Sequence, residues 1–201
     1  MIAIIDYGAG NLFSVKNALE YLGLPCRITS RAEEIRRADS YILPGVGAFP
    51  FAMKQLAATG LIGELKSQTR EKPLLGICLG MQMLFDEGFE FEPCAGLGLI
   101  PGEVRRMERT ELKIPHMGWN GLVLHQPSDP LLAGVSVGDC VYFVHSYMAH
   151  TAPEYLLASC DYGGAVTALV RRGNVYGAQF HPEKSGEVGL QILKNFGGLT
   201  R

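Results

Sequence analysis

The chain has 201 residues, 47% of them hydrophobic and 19% charged, which suits one domain with a sizeable core and hardly two. A formal net charge of -2, with no dense block of lysine or arginine, excludes binding to nucleic acid through a basic face. The closest approach to such a block, Arg105, Arg106 and Arg109, is interleaved with Glu103, Glu108 and Glu111 and reads as a solvated face.

The five cysteines, Cys26, Cys78, Cys94, Cys140 and Cys160, are odd in number, and no two lie within four residues of each other. That disfavours a disulfide framework and a zinc knuckle, and no metal or other cofactor is expected. No basic leader precedes the first apolar run, and the longest mostly apolar stretch, residues 73–85, is too short to span a bilayer. The expected setting is a reducing cytoplasm, away from any membrane.

Taken in chain order, residues 2–6 predict a short strand and 7–10 a glycine loop, after which Leu12, Val15, Leu19 and Leu22 recur at helical spacing. Residues 41–43 predict a second buried strand, running into Pro44-Gly45-Val46-Gly47. Residues 74–77 predict a third, followed by Cys78 and a helix-forming stretch over 79–85. Strand, loop and helix repeated in this way predict an α/β fold with a doubly wound, mostly parallel sheet. The second half differs. Strand candidates at 97–107, 113–124, 141–145, 155–161, 165–171 and 175–180, joined by turns, predict an antiparallel or mixed extension. A last amphipathic helix carries Ile192, Leu193 and Phe196 on one face. No repeat or linker interrupts the chain, so one domain over residues 1–201 is expected. In open α/β sheets ligands gather at the carboxyl ends of the strands, where the three glycine loops and His181 are all expected.

Gly76-Ile77-Cys78-Leu79-Gly80 fits the pattern of a nucleophile elbow, a tight strand-to-helix turn with the nucleophile at its apex. A helix starting after Cys78 would favour thiolate over thiol, and the Leu79 N–H would face a developing oxyanion. Gln82, one helical turn on, would share the face of Cys78 and touch a substrate. By itself the pentapeptide suits a buried structural cysteine equally well. A thiolate performing acyl transfer also needs a proton carrier, usually a histidine held by a carboxylate. Of the five histidines only His181 stands in His181-Pro182-Glu183 after a strand-like run. In an extended segment Glu183 would lie on the same side as His181 and hold its tautomer. Pro44-Gly45-Val46-Gly47 would reach the same sheet edge and offer a second N–H to the oxyanion. It lacks the lysine and spacing of a P-loop, and Asp6-Tyr7-Gly8-Ala9-Gly10-Asn11 lacks the third glycine of a dinucleotide fingerprint.

With these three motifs in this order, essentially the whole chain resembles the triad (class I) glutamine amidotransferases. Asp6-Tyr7-Gly8-Ala9-Gly10-Asn11, Ile114-Pro115-His116-Met117-Gly118-Trp119-Asn120, Tyr142-Phe143-Val144-His145-Ser146-Tyr147 and His181-Pro182-Glu183-Lys184-Ser185 resemble the branch of that family serving histidine biosynthesis. The related stress-response hydrolases typically place histidine directly after the cysteine, where this chain has Leu79. The resemblance implies that Cys78 attacks the side-chain amide of glutamine and releases ammonia, with His181 and Glu183 completing the triad. It implies that Gln82, Ser146 and Tyr147 help hold glutamine, and that Val46 and Gly47 join Leu79 in the oxyanion hole. It also implies a heterodimer with a (β/α)8-barrel cyclase, which uses the ammonia to make imidazole glycerol phosphate and aminoimidazole carboxamide ribotide. By the same resemblance Asn11, Trp119, Tyr142 and Lys184 would lie at the contact with that partner.

Overall fold

The structure, a computed structural model, describes residues 1–108 and 112–200. Arg109 and Glu111 of the mixed-charge segment lie outside the described residues.

The first half alternates as its pattern predicts. The elements are β1 (Ile2–Ile5), α1 (Leu12–Tyr21), β2 (Cys26–Thr29), α2 (Ala32–Arg37), β3 (Ser40–Gly45), α3 (Phe49–Ala58), α4 (Ile62–Gln68), β4 (Leu74–Cys78) and α5 (Leu79–Gln82). Then come β5 (Glu87–Gly88), β6 (Cys94–Ala95), β7 (Glu103–Arg106), β8 (His116–Gly121), β9 (Val123–Leu124), β10 (Cys140–His145) and β11 (Tyr147–His150). The chain closes with β12 (Leu156–Asp161), β13 (Ala165–Arg172), β14 (Val175–Ala178) and α6 (Gly186–Gly198).

The main sheet has eight strands in the order β2-β1-β3-β4-β14-β13-β12-β9. From β2 to β14 the pairs are parallel, and from β14 to β9 they are antiparallel, so the extension continues the same sheet. Two smaller sheets, β10-β8 and β11-β7-β5-β6, carry the rest.

Side chains alternate across β1, as strand geometry requires. Ile2 and Ile4 enter a core with Val15 and Leu19 of α1 and Ile192, Leu193 and Phe196 of α6. Ala3 and Ile5 enter another with Ile35 of α2, Phe49 and Leu56 of α3, and Leu65 of α4. Helices therefore cover both faces of the parallel half, which is why its strands are apolar throughout rather than alternating. Each large aliphatic side chain so buried contributes about 1.5–3 kcal/mol relative to exposure.

Several predicted boundaries shift for tertiary reasons. The stretch 79–85 keeps only one turn of helix, because the carbonyls of Met83, Leu84 and Phe85 accept from the N–H groups of Leu97, Leu99 and Gly98 at 2.8–3.0 Å instead of continuing the helix. Those contacts also take residues 97–102 out of the predicted strand, which forms only over Glu103–Arg106, past Pro101 and Gly102. Pro44 and Gly45, read as loop, end β3 opposite Ile77 and Cys78.

The approach of β3 to the turn after β4 is the tightest packing near the strand ends. A Cβ built on Gly80 would sit 1.8 Å from the carbonyl oxygen of Leu43. Gly80→Ala is therefore expected to force the two strands apart and lower unfolding free energy by about 3 kcal/mol or more. Urea denaturation checks this, and a variant as stable as the parent would contradict the packing described.

Candidate active site

Three neighbouring parallel strands deliver the chemistry to one edge. The register pairs Gly45 with Cys78 and Ala178 with Ile77, so the ends of β3, β4 and β14 stand side by side. Cys78 takes φ 55° and ψ -116°. A non-glycine residue in this region is strained, and the strain is held by the glycine-tight packing beneath it. The elbow therefore has the geometry its pattern predicts. The helix that follows has four residues, shorter than the predicted 79–85 stretch and too short for a long helix dipole.

His181 follows β14 and Glu183 stands in a short 3-10 turn, Pro182–Lys184, rather than in the extended segment expected. Pro182 opens that turn, and the turn still brings the pair together. His181 Nδ1 donates to Glu183 Oε1 at 2.8 Å, and the two side chains are 4% and 0% exposed. Because the carboxylate oxygen can only accept, Nδ1 carries the proton and Nε2 is left for the thiol. Burial alone works against a charged His181. Hydrogen bonds to Cys78 and Glu183, and their negative charge, outweigh it and push the imidazole up to about 9.

Val46, Gly47, Cys78, Leu79, Gln82, Glu90, Val144, His145, Ser146, Tyr147 and His181 line one pocket of about 400 Å³. The residues predicted for nucleophile, base, oxyanion and substrate are thus brought together. No described residue accepts from the N–H groups of Val46 or Gly47, and Gly47 has φ +97°. The root of this loop is clamped. The Tyr7 hydroxyl donates to the Pro44 carbonyl at 2.9 Å, and burial, helped by the charge of Cys78, raises the phenol far enough to keep it a donor. The first glycine loop, which the sequence left without a ligand, therefore buttresses the second.

Gln82 reaches the pocket, but its amide nitrogen already donates to the Tyr147 carbonyl at 2.9 Å and to Gln179 Oε1 at 3.0 Å. His145 Nδ1 lies 2.9 Å from the same Tyr147 carbonyl and donates to it. Burial holds His145 down to about 4, so it stays neutral. Sequence reasoning missed Glu90, which among the described residues is the only carboxylate lining this pocket. Its Oε2 accepts from the Phe49 N–H at 2.8 Å, which ties it to the start of α3. No local motif marks it, and its signal is purely spatial.

Three of the four residues expected at a partner surface, Trp119, Tyr142 and Lys184, lie near one another. Trp119 is 55% exposed and meets Tyr142 edge to face, with ring centroids 5.9 Å apart. The Tyr142 carbonyl accepts from the His181 N–H at 3.0 Å, and exposed Lys184 follows in the same turn. Asn11 precedes α1, which packs against that turn.

A strained cysteine elbow, a buried histidine–carboxylate pair and a mostly parallel sheet define a triad amidohydrolase. Residues 3–197 match the family described as glutamine amidotransferase class-I. The imidazole glycerol phosphate synthase subunit HisH of Bacillus cereus strain G9842 is 54% identical over 201 residues, covering 100% of this chain and 95% of the relative. The same subunit of Shouchella clausii is 53% identical over 206 residues, covering 100% and 99%. Among solved structures, a glutamine amidotransferase superposes with TM-score 0.77 at 20% identity, covering 99% of this chain and 100% of that one. Thermotoga maritima PurLQS gives 0.75 at 20% identity, covering 97% and 96%, a likeness of fold alone. The chain belongs to the class-I glutamine amidotransferases and, among them, to the HisH subunits of imidazole glycerol phosphate synthase. Among the described residues no helix is long and apolar enough to cross a membrane.

The raised His181 value fixes a pH signature. An imidazole whose folded-state value exceeds its unfolded value, 6.5, stabilises the fold fully below 6.5 and loses that contribution as pH rises through about 9. The stability advantage of the parent over His181→Asn is expected to shrink between those limits. In Cys78→Ala the His181 titration, followed by NMR, is expected to fall below about 9. An unchanged titration would contradict the Cys78–His181 contact.

Proposed function

We propose that residues 1–201 act as one glutaminase domain, in which Cys78, His181 and Glu183 hydrolyse glutamine for a cyclase partner. The observation that carries this reading is the strained Cys78 in one pocket with a His181 whose Nδ1 is held by a buried carboxylate. The thiolate attacks the side-chain carbonyl carbon, and charge builds on the carbonyl oxygen, facing the N–H of Leu79 and those of Val46 and Gly47. Protonated His181 gives its proton to the amide nitrogen, the C–N bond breaks, and ammonia leaves a glutamyl thioester. His181 then takes a proton from water, which attacks the thioester and releases glutamate and the thiolate. Glu183 keeps the imidazole in the tautomer both steps need. Ser146 and Tyr147 offer backbone groups to the amino-acid end of glutamine, and Glu90 suits its ammonium. Gln82 supports that wall through the Tyr147 carbonyl.

The ammonia goes to a (β/α)8-barrel cyclase in a cytoplasmic heterodimer, joining a phosphoribosyl intermediate to give imidazole glycerol phosphate and aminoimidazole carboxamide ribotide. This part of the reading rests on the membership of the HisH family. The exposed side chains of Val46, Met117 and Trp119, with Asn11, Tyr142 and Lys184, suit a partner surface beside the pocket.

Cys78→Ala should abolish glutamine hydrolysis while the complex with the cyclase still uses free ammonia. An electrophilic glutamine analogue should label Cys78, and mass-spectrometric labelling of Cys26, Cys94, Cys140 or Cys160 in its place would refute the assignment. A second measurement bears on control. One missing oxyanion donor costs about 10²–10³ in rate, and only the Leu79 donor sits on the rigid elbow. The isolated chain should therefore turn over glutamine at least about 10²-fold more slowly than the complex with its nucleotide intermediate bound. Equal steady-state rates would show that the loop does not gate the reaction.

A further inference from the structure

Gln179 is fully buried, one residue beyond β14, and is not part of the pocket wall. Strand register explains its place. Ala178 stands opposite Ile77, so the next residue along β14 comes beside Cys78. Its side-chain nitrogen lies 3.8 Å from Cys78 Sγ.

The orientation of that amide follows from its neighbours, by elimination. The Tyr147 carbonyl can only accept, so the Gln82 atom 2.9 Å away is the nitrogen. The same nitrogen lies 3.0 Å from one end of the Gln179 amide, so that end is the oxygen. The NH₂ end of Gln179 is left facing sulfur. Among the described residues, Cys78 Sγ is the only acceptor within reach of it. A neutral thiol is a poor acceptor, and a buried donor with a poor acceptor destabilises the fold. A thiolate is a good one.

We propose that Gln179 is a further catalytic residue, whose side-chain N–H groups stabilise the Cys78 thiolate from behind the pocket while Gln82 keeps them pointed at it. The proposal rests on the reading of Cys78 as nucleophile. Its chemistry serves both half-reactions. Before attack it raises the share of sulfur present as anion. In the second step the C–S bond breaks and sulfur leaves as thiolate, gaining the same donor. Lacking contact with the pocket, Gln179 adds nothing to the binding of glutamine.

The test compares the parent, Gln179→Met and Gln179→Glu. Cys78 alkylation by iodoacetamide is followed at pH 8 by mass spectrometry, and glutaminase kinetics are measured in the cyclase complex. Methionine keeps the bulk and removes the donor, so alkylation and kcat should each fall about ten-fold with KM little changed, as for one lost hydrogen bond to a charged group. Glutamate keeps the shape but faces sulfur with a carboxylate, so its loss should exceed that of methionine. Ammonia-dependent synthesis should survive in both. Alkylation within two-fold of the parent in either variant, or a rise in KM at constant kcat, would overturn the proposal. Alkylation reads the sulfur whatever the substrate. A parent that alkylates readily yet releases no ammonia from glutamine would refute the glutaminase reading and leave this one standing.

Discussion

With no side chain at Gly80, the turn after the nucleophile settles onto the carbonyl of Leu43, and β3 and β4 stay in register to their last residues. The ends of β3 and β4 that line the pocket are built on that contact. It holds Cys78 at a positive φ that a relaxed chain would leave, and it sets the start of the 46–47 loop within reach of the sulfur's pocket. On the other side β14 pairs with β4 and delivers His181 just past its end. The site is therefore fixed by adjacent hydrogen-bonded strands, and a shift of one residue in either pairing would turn the wrong face of the chain toward the pocket.

Electrostatics divides the histidines of the pocket into two kinds. His181 shares its proton contacts with a carboxylate and the nucleophile, and the pull of both exceeds the penalty of burial. His145 is as enclosed, with the Tyr147 carbonyl and the His116 imidazole beside it and no carboxylate among the described residues to hold it charged, so burial prevails and it stays neutral. In the proposed mechanism the first carries the proton, while the second holds the Tyr147 backbone in place. The first oxygen of Glu183 holds His181 Nδ1, and its second has no partner among the described residues.

The parts of this arrangement that the sequence made legible are those in which chemistry is written locally. Gly76-Ile77-Cys78-Leu79-Gly80 and His181-Pro182-Glu183 need their residue types at fixed spacing, so each could be read from a few positions, and the doubly wound half followed from strand and helix periods. The extents of elements were less legible where distant segments decided them. Residues 83–85 have helical composition, yet their carbonyls bond the 97–99 backbone, a contact invisible to any local pattern. The helices α2, α3 and α4 were not foreseen, being short or flanked by turns. Glu90 and Gln179 were equally hidden, since each joins the site through a fold-level neighbour rather than a motif.

The backbone N–H groups assigned to the oxyanion in the proposed mechanism differ in how firmly they are held. The Leu79 N–H is rigid, because Gly80 cannot move without separating two strands. The 46–47 loop is anchored only at its root, where Tyr7 holds the Pro44 carbonyl, and Val46 beyond it is 45% exposed. Its N–H groups have no acceptor among the described residues. Trp119 and Met117 on β8 and Lys184 after His181 are exposed as well. The proposed mechanism thus assigns one half of the hole to an exposed loop and the other to the elbow, so that catalysis could answer to a partner while Cys78, His181 and Glu183 remain assembled.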